Sequence, residues 1–154
     1  MAAPAMSYLI CSMALIALII VLPAFFSIER NNVAERMAER ELTEICDYTS
    51  NTLENLFILA NSTDSKTLTV TKELLYMPIT VEDSFYTMKI VSALDNSNAA
   101  QVTAFLNNKP WVKGSSWLIP GLKVYEDPLA VNGTSIVAGC TRDNNVFSVW
   151  IREV

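Results

Sequence analysis

From Tyr8 to Ile28 the chain runs for about twenty residues with only Ser12, Pro23 and Ser27 interrupting its apolar side chains, the length a helix needs to cross a hydrocarbon core. No charged residue precedes Glu29. A helix that is apolar on every side cannot rest in water, so this segment must be surrounded by lipid or by protein. It also explains a composition of 51% hydrophobic residues and a mean hydropathy of +0.30, high for a globular chain. The remainder has an ordinary globular composition.

The segment admits three readings. A cleavable secretory signal has a basic start and a shorter apolar core ending at small residues, and Phe25-Phe26-Ser27-Ile28-Glu29 offers no such ending. A plain signal anchor fits the length, although without a basic flank its orientation is weakly specified. The third reading is a mature subunit, from which a short basic leader has been cut ahead of Met1.

Beyond Ile28 a helical period continues through Val33, Met37, Leu42, Ile45, Thr49, Leu53, Leu56 and Ala60, with no proline or glycine between Ser27 and Ala60. One helix is therefore expected from about residue 5 to residue 60, roughly 80 Å long. Residues 1–28 form its apolar half and 29–60 an amphipathic half, whose acids and arginines make a mixed-sign surface: Arg36 with Glu39 and Arg40 with Glu44 fall at helical neighbour spacing. Pro23 lacks an N–H, which predicts a kink or loosened turn near residues 19–23.

From Asn61 the period shortens to two. Thr67–Thr71, Tyr86–Ile90 and Gln101–Phe105 alternate polar and apolar residues, and Val112–Ile119, Leu122–Tyr125, Ser135–Cys140 and Val146–Arg152 are further strand candidates. Turn-forming clusters separate them: 95–98, Asn107-Asn108-Lys109-Pro110, Pro120-Gly121, Asn132-Gly133 and Asp143-Asn144-Asn145, the last closing a hairpin. The expected class is α+β, a long N-terminal helix packed on an antiparallel sheet or small β-sandwich over residues 61–154.

Little in the chain suggests catalysis. It has no histidine, which removes the commonest general base and zinc ligand. Its four glycines stand singly, and Glu82 and Asp83, being adjacent, point apart on an extended segment. No enzyme activity, cofactor or metal is expected. A net charge of −5 argues against a nucleic-acid partner, which needs a basic face. Of the three cysteines, Cys11 lies in the apolar run, while Cys46 and Cys140 are candidates for a disulfide if the domain is extracytoplasmic. Asn61-Ser62-Thr63 and Asn132-Gly133-Thr134 are N-glycosylation sequons, one at the helix exit and one in a turn. Trp111, Trp117 and Trp150 serve either as an adhesive patch or, more usually for strand tryptophans, as core or interface anchors.

An apolar N-terminal helix, a proline at Pro23, an amphipathic continuation and a β-domain carrying sequons together resemble the type IV pilin superfamily, archaeal pilins and archaellins in particular. Ala5 stands where bacterial members carry an acid, as is common in archaeal forms. The resemblance implies a structural subunit of an extracellular helical filament, serving adhesion or surface attachment. Identical subunits would be its partners, the membrane would hold it before assembly, and surface glycans are candidate ligands. Leu9, Ile16, Ile20 and Phe25 would then pack in the filament core, with Pro23 marking where the core helix loosens. The alternative is a single-pass membrane-anchored protein whose extracytoplasmic β-domain is a binding or accessory module; a tethered carbohydrate-binding module using the tryptophans is a third.

Overall fold

The computed structural model describes residues 3–92, 99–124, 129–131 and 135–153, the first five of these by backbone alone. The chain divides into two compact units, Met1–Arg36 and Met37–Val154. The division falls inside the helix, so the helix from Met37 onward belongs by its packing with the sheets.

A single α-helix, α1, spans Ala3–Asn61 and is helical without interruption through Pro23. In the second unit its inward stripe is Ala38, Leu42, Ile45, Cys46, Thr49, Leu53, Leu56 and Ala60, all buried at spacings of one, three or four residues. Val33 and Met37, expected at the head of this stripe, are exposed. Burial begins at Ala38, where a small side chain lets the helix meet its neighbours.

Eight strands follow among the described residues: β1 Thr67–Glu73, β2 Tyr86–Ser92, β3 Ala100–Leu106, β4 Lys113–Trp117, β5 Lys123–Val124, β6 Leu129–Val131, β7 Ile136–Asp143 and β8 Val146–Glu153. They form two four-stranded sheets, ordered β1-β7-β8-β5 and β4-β3-β2-β6. Every pairing is antiparallel except β5 with β8, a two-residue parallel addition at the sheet edge. The α+β class is as expected, with the strands divided between two sheets.

Alternation sets which face is buried. Tyr86, Met88 and Ile90 on β2 and Ala100, Val102, Ala104 and Leu106 on β3 point inward, as do Ala138, Cys140, Val149 and Ile151 in the other sheet. These residues and the helix stripe make one core. Polar groups within it find partners: Thr49 donates to the Ile45 carbonyl at 2.9 Å, Ser50 to the Trp117 carbonyl at 2.7 Å, and the Tyr86 hydroxyl to the Pro78 carbonyl at 2.8 Å.

Two turns carry the register. Asn144 and Asn145 close the β7–β8 hairpin with φ of 45° and 68°, the left-handed values a two-residue hairpin turn requires and that asparagine tolerates. Gly121, at φ 94° after Pro120, occupies the position where a type II turn favours glycine. Gly114 on β4 has a different role. A Cβ there would stand within 2.3 Å of the Thr43 backbone nitrogen, so the absent side chain is what lets α1 lie directly on this edge strand.

Candidate assembly surface and displayed groups

In the first unit the apolar side chains are exposed on every face of α1. Leu9, Ile16, Ile20 and Phe25 are all more than half exposed, as are Tyr8, Ile10, Leu18, Ile19, Val21 and Phe26. This stretch is long and apolar enough to cross a membrane. Soluble monomers seldom expose contiguous apolar patches beyond a few hundred Å². Nor does the helix need water for its polar side chain at Ser12, whose hydroxyl donates to the Leu9 carbonyl at 2.9 Å. At Pro23 the missing N–H leaves the Ile19 carbonyl without its usual helical donor, the chemical basis of the loosening expected there.

At the other end of α1, Asn61 is the last helical residue and is exposed. The helix has no basic residue in its last turn; Arg142 from β7 supplies that charge. Its guanidinium donates to the Thr63 carbonyl at 2.6 Å and to the Ala60 carbonyl at 3.4 Å, neutralising the negative end of the helix. Ser62 and Thr63 donate to the Leu59 carbonyl at 2.8 and 3.1 Å. The first sequon is thus presented on a fixed mount open to solvent. In material purified from a glycosylating source, peptide mass spectrometry should find sugar on Asn61; unmodified Asn61 throughout would remove the sequon from consideration. Asn132 lies outside the described residues, as does the turn cluster at 95–98.

In the structure Cys46 and Cys140 are both buried free thiols. Cys46, on α1, has a backbone hydrogen bond with Ala104 of β3, and Cys140 is an inward-facing residue of β7 in the other sheet. Burial pushes the Cys46 thiol up to about 12, with Asp47 adding to the rise and the Ala104 bond opposing it; burial alone raises Cys140. A raised thiol favours the folded state below the unfolded value of about 8.5, and that contribution is lost as pH climbs toward the folded value. At pH 8.5 iodoacetamide should therefore alkylate Cys46 at least roughly 100-fold more slowly in native protein than in urea, and Cys140 more slowly as well. Equal rates in the two conditions would show that these thiols are not enclosed.

The tryptophans are not core anchors. Trp111 and Trp117 are 64% and 61% exposed, and Trp150 is half-buried on the outer face of β8. Aromatic composition favours burial, and only the pairing register places Trp150 opposite Gly139, where its ring can lie. That arrangement is invisible in sequence, although a glycine within an otherwise alternating strand marks close approach. Among the described residues no group of three or more acids or cysteines is placed to hold a metal ion. Comparison with protein-family models, with curated proteins and with solved structures gave no match to this chain.

Proposed function

We propose that this chain is the structural subunit of an extracellular helical filament for adhesion or surface attachment, membrane-held until its apolar helix packs against those of identical subunits. The observation that carries the reading is the charge-free, all-round apolar surface of residues 8–28, joined in one chain to a unit that already closes its own core. One apolar face would be satisfied by one partner; a helix apolar on all sides needs a surround. Each fully buried Leu, Ile, Val or Phe contributes about 1.5–3 kcal/mol, and the segment holds enough of them to exceed the cost of association. The contact must be head-to-tail, because a self-complementary two-fold contact closes as a dimer while a heterologous one propagates.

Deleting residues 1–28 is the first test. The remaining chain should be soluble without detergent and sediment as a folded monomer, with its thermal unfolding intact. Aggregation or loss of cooperative unfolding would mean that the apolar segment is part of the fold rather than an assembly surface. A single-pass anchor with a binding module would give the same truncation result, and it is separated from the filament by whether the intact chain polymerises.

A further inference from the structure

The outer face of the β1-β7-β8-β5 sheet carries a hollow of about 830 Å³ that has no part in assembly through the apolar helix. Strand register builds its floor. Thr69 pairs with Thr141, Thr141 with Ser148, and Ser148 with Lys123, so three hydroxyls and an ammonium stand in one row across all four strands. Neighbouring strands lie about 4.8 Å apart, which fixes the spacing of the row. The Thr69 and Thr141 hydroxyls are 3.3 Å apart, and the Trp150 indole N–H donates to the Thr141 hydroxyl, also at 3.3 Å. These short side chains are held in place before any ligand arrives, so little rotamer freedom remains to be lost.

Trp150 gives the hollow its second feature. Its ring lies over Gly139, where a Cβ would fall 2.2 Å from the ring carbon Cζ2. The Arg152 guanidinium is stacked above the ring, its central carbon 4.4 Å from the centroid. Stacking occupies the face of the guanidinium, and its N–H edge, which has no partner among the described residues, suits a planar, two-oxygen acceptor. Among the described residues of the lining, Lys123 and Arg152 outnumber the one acid, Asp143, on a chain whose net charge is −5.

We propose that this hollow binds an acidic polysaccharide through its uronic-acid carboxylates, Arg152 and Lys123 taking the carboxylates and the Thr69-Thr141-Ser148 row the sugar hydroxyls. The inference rests on the filament reading for its setting, a β-domain displayed outside the cell, and names what that domain holds. A carboxylate matches the guanidinium edge in plane and in its two acceptors. Asp143 disfavours a densely sulfated chain by repulsion. A single-stranded nucleic acid is disfavoured because base stacking needs an open aromatic face, and Arg152 covers that of Trp150.

The test uses the full chain in dodecylmaltoside micelles, where binding can be read whether or not filaments form. Titration calorimetry with a galacturonic acid hexamer should show saturable binding that weakens with added NaCl. Maltohexaose, the neutral counterpart, should bind at least about ten-fold more weakly, and Arg152→Gln and Lys123→Gln should each cost about ten-fold, since one charge-assisted contact is lost in each case. Thr141→Val tests the hydroxyl row without adding charge and should weaken binding by about five-fold. The proposal is overturned if the hexamer does not bind, or if maltohexaose, a heparin hexasaccharide or oligodeoxythymidine binds as tightly. Unchanged affinity in both charge variants, with their melting curves intact, would also overturn it. None of these results bears on whether the apolar helix polymerises.

Discussion

Ile16→Glu should abolish filaments and leave the β-domain folded. Ile16 is 58% exposed, in the middle of a run in which no charged residue occurs. If neighbouring helices cover this position in the assembly, the glutamate must either be buried without a partner or take up a proton, and both are unfavourable. A cost near 4 kcal/mol per subunit raises the concentration needed for polymerisation roughly a thousand-fold. The second unit contains none of the altered contacts, so its melting temperature should shift by less than about 1 °C. Filaments of normal length from the variant would show that residue 16 faces neither lipid nor protein in the assembled state. A collapsed melting curve would show instead that the segment supports the domain fold.

Gly114→Val should have the opposite pattern, unfolding the domain without touching the apolar surface. A Cβ at residue 114 would meet backbone on α1, the Thr43 nitrogen at 2.3 Å and the Leu42 carbonyl carbon at 2.4 Å, and backbone cannot rotate out of the way. Helix and β4 must separate, opening the core beside Leu42 and Val112. Overpacking of this kind typically costs about 1–3 kcal/mol, and a contact with backbone belongs at the upper end or beyond. A loss of about 3 kcal/mol lowers the melting temperature by roughly 10 °C. Gly139→Ala provides the comparison: the three atoms nearest its Cβ all belong to the Trp150 ring, a side chain able to shift, so its effect should be smaller. Equal melting temperatures for wild type and Gly114→Val would mean that the helix does not rest on β4.

These expectations draw unequally on what the sequence makes visible. Local periodicity locates the long helix and seven strands, because Tyr86–Ile90 and Gln101–Phe105 alternate cleanly and Asn144-Asn145 suits only a tight hairpin. It does not locate β6, since Leu129–Val131 is too short to show a period. Nor does it separate the two sheets or foresee the parallel edge of β5, both of which depend on pairing between distant residues. Val33 and Met37 continue the apolar period yet stay exposed, Val33 ahead of the packed unit and Met37 at its first residue, and the first buried side chain is that of Ala38.

The same limit governs the candidate sites. The charge-free run from Tyr8 to Ile28 is legible because its message is compositional, and Asn61 because a sequon is contiguous. The Cys46–Ala104 contact, the Gly139–Trp150 pairing and the row from Thr69 to Lys123 are not. Each joins residues from different strands or from strand and helix, and sequence spacing carries no record of which faces meet.

Helical assembly itself is tested most directly by electron cryomicroscopy of the intact protein purified from its native membrane or cell surface. A filament subunit should appear as threads with a regular helical repeat, apolar N-terminal helices along the axis and β-domains outside. Dispersed monomers in membrane or detergent, with no thread at any protein concentration, would contradict the filament and leave the single-pass anchor in its place.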